Sequence, residues 1–448
     1  MKKFDKDKYL KNLNFKRNLT KYGKYFYIGV PCVLAVVAGI YFAYSKFTVS
    51  KDAEVVKTTV GEFIHGDVVI GAYIDGKYST TIPGKNDGYV VKSVSCDNNA
   101  TGSWDKDKWG LTLTNMTKRT KCNIYFETKK NSVSDVINEA VNTNSSMFAS
   151  DDADKNVRYI GANPNNYVYF NCSDYNNQSD STCEKWRIIG IFNNVTKSDG
   201  TKENLVKIIR DESIGNYSWD NKNTSTGAET NYGKNDWTTA RLNYLLNPGH
   251  DSESVGGSLY YNAKSGTCYY GQNNATTSCN FTSTGLKNDT TRNAIESVVW
   301  NLGGTDAYDT STASMFYTAE RGTTVYSGRP TTWTGKIGLM YPSDYGYATT
   351  GGSTTNRSTC LSTALFNWDG SGVADCKNND YLFNSSFQWT LAPYSGGAGG
   401  VFDVNSSGFV ADDGVSYTYG VRPALYLKSS ISVGSGDGTS TSPYKLEM

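Results

Sequence analysis

Histidine is nearly absent from this 448-residue chain, which has only His65 and His250. Neither the Ser-His-Asp nor the Cys-His arrangement of nucleophilic catalysis can be assembled from the spacing around these residues. The CxxC spacing of zinc sites is missing as well. We therefore expect no catalytic residue, no metal and no cofactor, and we interpret both histidines as surface-loop residues.

Charge is also scarce, because Asp, Glu, Lys and Arg make up only 19% of the residues and the net charge is +1. This balance excludes the basic surface of a nucleic-acid-binding protein. The glycine-rich run 396–400 lacks the following Lys-Ser/Thr of a phosphate loop. With 33 Tyr and 44 Gly, the composition is typical of an exported, loop-rich β or α+β protein. Because 13% of the residues are aromatic, the chain can build cores and is not disordered.

One long apolar run stands out, the twenty uncharged residues from Tyr25 to Tyr44. As a helix it would cover the ~30 Å hydrocarbon core of a bilayer. Residues 1–24 contain nine Lys or Arg against two Asp, and such positive segments stay in the cytoplasm. The sequence thus predicts a basic cytoplasmic tail (1–24), a transmembrane helix (25–45) and a single-pass location in the cell membrane with the C-terminus outside. The alternative is a cleaved signal peptide, but no small-x-small site precedes Ser45.

Eight cysteines lie outside the apolar run and form four close pairs along the chain. Eight cysteines allow 105 pairings. We expect the sequential pairing, because each pair brackets a turn-rich insert, and we expect an oxidising compartment. The predicted disulfides are Cys96–Cys122, Cys172–Cys183, Cys268–Cys279 and Cys360–Cys376.

Two exported modules follow the apolar run. Residues 46–130 show short alternating strands with Asp-Gly turns, which predict a small antiparallel β-sandwich that acts as a spacer. In the stretch 131–157, Ser132 and Asp135 predict a capped helix, followed by a linker. Residues 158–448 mix early strands, central helices and late strands, a pattern that favours an α+β fold. The helices expected there are Trp237–Leu246, capped by Asp236, and Thr290–Leu302.

Four motifs of the second module carry a family resemblance. They are Trp186–Phe192 (WRIIGIF), Asn235–Trp237 (NDW), Trp389–Pro393 (WTLAP) and Gly420–Leu427 (GVRPALYL). Together they resemble a family of uncharacterised exported proteins from Gram-positive gut bacteria. Their C-terminal domains are similar to the C-type-lectin-like fold shared with formylglycine-generating enzymes. The resemblance covers about residues 158–448 and implies a C-type-lectin-like α+β domain.

Some bacterial members of that fold are variable receptors of diversity-generating retroelements, in which mutagenesis at adenines rewrites surface positions. The segments 394–400 (YSGGAGG) and 411–417 (ADDGVSY) contain no Lys, Glu, Gln, Trp or Met, the types that this process does not reach. Tyrosine gives a large, low-entropy contact, and Gly and Ser adapt around it. The resemblance therefore implies a ligand-binding surface of Tyr394, Ser395, Gly396, Gly397, Ala398, Gly399, Asp412, Asp413, Val415 and Tyr417.

Our first hypothesis is a membrane-anchored, surface-displayed receptor or adhesin that binds a protein or glycan ligand outside the cell. The second is an enzyme, either of the formylglycine-generating type or another hydrolase. The formylglycine-generating type needs a reactive cysteine pair, but here Cys360 and Cys376 are interpreted as a structural disulfide that closes a loop. The third is a structural envelope or adhesion scaffold without a pocket. Flexible Gly/Ser loops that merely join strands also remain open for both segments. The adjacent Asp412 and Asp413 are interpreted as solvent-facing turn residues rather than a calcium site.

Overall fold

The computed structural model describes residues 56–58, 68–221 and 232–448, with only the backbone given for 56–58. The chain divides into two compact units, Met1–Lys129 and Lys130–Met448. The predicted cytoplasmic tail (1–24), the predicted transmembrane helix (25–45) and His65 lie outside the described residues.

No helix within the described ranges is long and apolar enough to cross a membrane. The longest, Val133–Thr143, has eleven residues and spans about 16 Å, roughly half of a ~30 Å hydrocarbon core. The described chain is mostly β-strand, with seven short α-helices. The predicted fold class, α+β with a single transmembrane helix, is therefore wrong, and the predicted single-pass location in the cell membrane is not supported.

The first unit is a pair of sheets around a small core. Its strands are β1 (Val56–Thr58), β2 (Val68–Ile74), β3 (Lys77–Ser79), β4 (Tyr89–Cys96), β5 (Thr101–Asp105), β6 (Gly110–Thr114) and β7 (Thr120–Thr128). The sheet orders are β3-β2-β7-β4 and β1-β6-β5. Leu111 and Leu113 of one sheet and Ile124 and Phe126 of the other share the buried core.

The expected antiparallel pairing of this unit is only partly right. β2 runs parallel to β7, and β1 runs parallel to β6, while the remaining pairs are antiparallel. Period-two alternation identifies the buried face of each strand, but it does not encode the direction of the neighbouring strand. The module therefore has two mixed sheets.

The second unit contains two larger sheets, three two-stranded ribbons and all seven described helices. Its helices are α1 (Val133–Thr143), α2 (Arg241–Leu246), α3 (Asp289–Ala294), α4 (Ala313–Glu320), α5 (Pro342–Ala348), α6 (Arg357–Ser362) and α7 (Ala374–Asn378). Single 3₁₀ turns cover Ser145–Met147, Trp237–Thr239 and Leu365–Asn367. Its earlier strands are β8 (Phe148–Ala149), β9 (Val157–Tyr159), β10 (Tyr167–Phe170), β11 (Glu184–Thr196), β12 (Lys202–Arg210), β13 (Asn216–Ser218), β14 (Ser265–Tyr269), β15 (Thr276–Asn280), β16 (Val298–Asn301), β17 (Thr332–Gly335) and β18 (Ile337–Gly338).

The later strands of this unit are β19 (Gln388–Pro393), β20 (Gly400–Val404), β21 (Val410–Gly414), β22 (Thr418–Gly420), β23 (Ala424–Leu427), β24 (Ser432–Ser435) and β25 (Lys445–Glu447). The first large sheet has the order β18-β23-β12-β11-β9-β8, with β10 also paired to β11. The second has the order β13-β22-β19-β20-β21. Strand β11 is buried continuously from Trp186 to Phe192, as expected when both faces of a sheet are covered.

Local sequence signals explain the helix boundaries. Ser132 and Asp135 form the predicted capping box at the start of α1. The helix expected from Trp237 is interrupted, because Ala240 is extended between the 3₁₀ turn and α2. The helix expected over Thr290–Leu302 ends at Ala294. The β-branched residues that follow favour a strand and pair with β17.

The sequential disulfide pairing is confirmed for all four cysteine pairs. Cys96 and Cys122 are direct cross-strand partners on β4 and β7. Each bridge closes a short loop and contributes about 2–4 kcal/mol to stability.

Candidate functional site

The two segments predicted to bind a ligand lie side by side in the second sheet. Loop 394–400 joins β19 to β20, and 411–417 covers most of β21 and the turn after it. Gly400 pairs with Gly414, and the Val415 amide donates a hydrogen bond to the Gly399 carbonyl at 2.9 Å. The structure thus brings together two stretches that are separated by ten residues in the sequence.

Loop 394–400 is held by a buried amide. The Nδ2 group of Asn235 lies 2.8–2.9 Å from the carbonyl oxygens of Tyr394, Gly397 and Gly400 and donates to them. The backbone N–H of Asn235 and the Nη2 group of Arg329 both donate to the Ala398 carbonyl. These contacts fix the loop backbone, so it is a shaped surface rather than a flexible joint.

Strand alternation divides the predicted residues between two sides of the β20–β21 ribbon. Asp412 pairs with Phe402, whereas Asp413 pairs with Val401, so the two carboxylates project to opposite sides. Asp412 lies beside loop 394–400: its Oδ2 atom is 2.9 Å from the position that a Cβ on Gly400 would occupy.

Exposure also differs among the predicted residues. Tyr417 is 49% exposed and Gly396 is exposed, whereas Val415 is 0% exposed. Val415 therefore belongs to the core and does not reach a ligand in this conformation. The remaining members are partly exposed, namely Tyr394, Ser395, Gly397, Ala398, Gly399, Asp412 and Asp413.

Three partly exposed rings form what we call the aromatic row: Phe387, Tyr419 and Tyr417. Phe387 stacks on Tyr419 with ring centroids 4.6 Å apart, and Tyr417 lies 6.0 Å from Tyr419. The buried Trp389 supports the row from below, 4.6 Å from Tyr419. The sequence predictions did not include Phe387 and Tyr419. The two-residue spacing of Tyr417 and Tyr419 was an available signal, because side chains two apart lie on one side of an extended chain, but Tyr417 lies just before β22.

Two acidic groups accompany the aromatic row. Tyr419 Oη donates to Asp413 Oδ2 at 2.6 Å. Asp403 is 0% exposed, and neither of its carboxylate oxygens has a hydrogen-bond partner among the described residues. Burial is the main cause that raises the pKa of Asp403 to about 9, and the nearby carboxylates of Asp413 and Asp412 add to it. Asp403 is therefore a neutral carboxylic acid at pH 7, and Asp413 is the hydrogen-bond acceptor of the row.

A separate cleft of about 180 Å³ lies against β11 and β16. None of the sequence predictions placed a site here, because its walls come from six separated stretches of the chain. The residues that line it are Asp154, Asn156, Phe192, Asn193, Asn194, Val195, Thr196, Val299, Trp300, Asn301, Tyr317, Arg321, Tyr341 and Tyr426.

Behind the cleft walls is a network of buried ions. Asp344 accepts from Lys207 Nζ at 2.5 Å and from Arg158 Nη1 at 2.8 Å. Arg158 Nε also donates to Asp152 Oδ2 at 2.7 Å. Burial alone would raise the pKa of Asp344, but the two cations outweigh it and lower the pKa to about 2. The carboxylate therefore stays charged and holds both cations in place.

Aromatic rings surround the Lys207 ammonium. Its Nζ lies 4.4 Å from the ring centroid of Tyr341, 5.2 Å from that of Trp300 and 5.5 Å from that of Phe192. Burial lowers the pKa of Lys207, while the pairing with Asp344 opposes that effect. Because these rings also line the cleft, the ion network positions its wall.

Other groups with shifted titration are committed to structural contacts. Burial raises the pKa of Glu320 to about 7, and both of its oxygens accept hydrogen bonds from Ser343. His250 stacks on Tyr244 with centroids 3.9 Å apart, and burial lowers its pKa. Cys360 and Cys376 are joined and fully buried, so this pair offers no free thiol. Across residues 68–221 and 232–448, no group of three His, Cys, Asp or Glu is placed to hold a metal ion.

Comparison with known proteins adds no further assignment. Neither protein-family models, nor curated proteins, nor solved structures give a match to this chain. The resemblance to exported gut-bacterial proteins and to C-type-lectin-like domains therefore stays a prediction from the sequence motifs.

Proposed function

We propose that this chain is a disulfide-stabilised binding protein that recognises an extracellular glycan through the aromatic row and Asp413. The observation that carries the proposal is the row itself. Three neighbouring, partly exposed rings can pack on the apolar faces of sugar rings, and the adjacent Asp413 carboxyl group can accept hydrogen bonds from sugar hydroxyls.

Two further features support this function. The loop backbone beside the row is fixed before any ligand arrives, so little ordering entropy is lost on binding. The four disulfides are typical of proteins that work in an oxidising compartment outside the reducing cytoplasm, where extracellular glycans are found.

The test is binding of the purified chain to an immobilised glycan panel, followed by titration of the best ligand. We expect Tyr417→Ala and Phe387→Ala each to weaken binding about tenfold, since stacking of one ring contributes on the order of 1 kcal/mol or more. Tyr78→Ala is the matched control, because Tyr78 is 58% exposed but belongs to the first unit. Binding to protein partners alone, or equal losses in all three variants, would contradict the proposal.

Diversification of this surface by a retroelement is a finer proposal that rests on the same function. Sequences of the locus from several strains would then differ at exposed positions of 394–400 and 411–417. They would conserve Val415, because a change of a fully buried side chain destabilises the fold. Differences scattered over the whole chain would reject diversification without affecting glycan binding.

A further inference from the structure

The cleft between β11 and β16 has the dimensions and chemistry of a ligand site. Its volume of about 180 Å³ is below the roughly 300–1,000 Å³ that is usual for drug-sized ligands, so it suits one small ring rather than a chain of rings. The cleft is distinct from the aromatic row, because none of the three rings of the row lines it.

Charge in the cleft is balanced. Of the lining residues, only Arg321 and Asp154 carry charge, and Arg321 Nε lies 3.7 Å from Asp154 Oδ2. The Arg321 guanidinium also stacks over the Tyr317 ring at 3.4 Å, which fixes its position. The two cations behind the wall, Lys207 and Arg158, are balanced by Asp344 and Asp152. A ligand that carries net charge would therefore lack a counter-charge.

Several polar groups that line the cleft are unused. Within the described ranges, no hydrogen bond joins the side-chain amide of Asn301, the hydroxyl of Thr196 or the hydroxyl of Tyr426 to another protein group; the hydrogen bonds of Asn301 are made by its backbone. An amide both donates and accepts, and so does a hydroxyl. Such groups complement a ligand that is itself rich in hydroxyls.

The remaining wall is apolar. Val195 and Val299 line it together with Trp300 and Tyr341. Unused amide and hydroxyl groups next to such a wall match the two kinds of surface on a sugar ring, its hydroxyl edge and its C–H face. We propose that this cleft is a second binding site, which takes one neutral, polyhydroxylated ring of monosaccharide size.

The experiment is calorimetric titration of the purified chain with neutral hexoses, and with methylammonium and acetate as small probes that carry a net charge. We expect at least one hexose to bind and neither charged probe to do so. Asn301→Ala should weaken hexose binding about tenfold, and Thr196→Val should weaken it severalfold while keeping the side-chain shape. Asn367→Ala is the matched control, because Asn367 is exposed and does not line the cleft.

The variants also separate this proposal from glycan binding at the aromatic row. Asn301→Ala should leave the unfolding midpoint and the glycan affinity of the row unchanged, whereas Tyr417→Ala should leave hexose binding to the cleft unchanged. No heat with any hexose, preferential binding of acetate or methylammonium, or hexose binding that survives Asn301→Ala and Thr196→Val would overturn the assignment.

Discussion

The aromatic row and the cleft belong to the same unit, but they are held in different ways. The row stands on strands β19 to β22, and its neighbouring loop is fixed by neutral hydrogen bonds from Asn235. The cleft wall instead rests on a buried charge network centred on Asp344. Neutral hydrogen bonds contribute about 1 kcal/mol each, whereas an unpaired buried charge costs several. The loop beside the row should therefore tolerate substitution better than the buried ions behind the cleft wall.

Removing the shared carboxylate of the ion network should have the largest effect. Asp344→Ala leaves Lys207 and Arg158 buried without their common partner, so we expect a loss of about 3–5 kcal/mol in unfolding free energy. Urea denaturation measures it. The control is Asp289→Ala, which removes the surface ion pair with Arg292, where Asp289 is 90% exposed; it should cost less than about 1 kcal/mol. Equal losses of unfolding free energy in the two variants would show that the buried network stabilises the fold no more than a surface ion pair does.

Removing the amide that holds the loop should have an intermediate effect. Asn235→Ala leaves the carbonyls of Tyr394, Gly397 and Gly400 without their donor, with an expected loss of about 1–3 kcal/mol. Amide hydrogen exchange in residues 394–400 should accelerate. Unchanged exchange there would mean that the loop owes its shape to something other than Asn235.

The sequence could predict the row better than the cleft. The WTLAP motif and the Tyr/Gly-rich segments lie in the same sheet as the row, because residues of one β-ribbon are close in sequence. The sequence does not show the pairing register of β20 and β21. That register sends Asp412 and Asp413 to opposite sides of the ribbon, and Val415 after it is buried. The cleft combines residues as distant as Asn156, Thr196 and Tyr426. No local sequence pattern indicates that such distant residues lie together. A buried ion such as Lys207 also cannot be distinguished from a surface charge in the sequence.

Elsewhere in the chain, features set by nearby residues could be predicted, whereas features set by distant partners could not. The four disulfides and the Ser132 cap depend on nearby residues and were predictable. The strand after Ala294 and the parallel pairing of β2 with β7 depend on distant partners. The membrane-anchored architecture was a prediction from residues 25–45, and no described helix supports it.

The neutral acid beneath the row gives a pH-dependent prediction. With a folded pKa of about 9 against an ordinary 3.8, Asp403 keeps a proton in the folded state that the unfolded chain releases. Stability should therefore fall as pH rises from about 4 to 9, by at most about 1.4 kcal/mol per pH unit from this group. Asp403→Asn should flatten the curve of unfolding free energy between pH 5 and 8. Identical curves for the two proteins would place the pKa of Asp403 in its ordinary range.

The smallest stability effect should come from the residue most exposed in the row. Tyr417→Ala should change the unfolding free energy by less than about 0.5 kcal/mol, because the side chain is half exposed. A larger loss in a thermal or urea melt would indicate that Tyr417 packs the fold rather than serving a ligand.

Magnetisation transfer between a bound glycan and the aromatic protons of the chain, observed by NMR, tests glycan binding at the aromatic row most directly. We expect contacts from sugar C–H protons to Phe387, Tyr419 and Tyr417. These contacts should disappear in Tyr417→Ala and persist in Tyr78→Ala. Contacts that map to the first unit or to the cleft alone, with none to the row, would contradict glycan binding at the row.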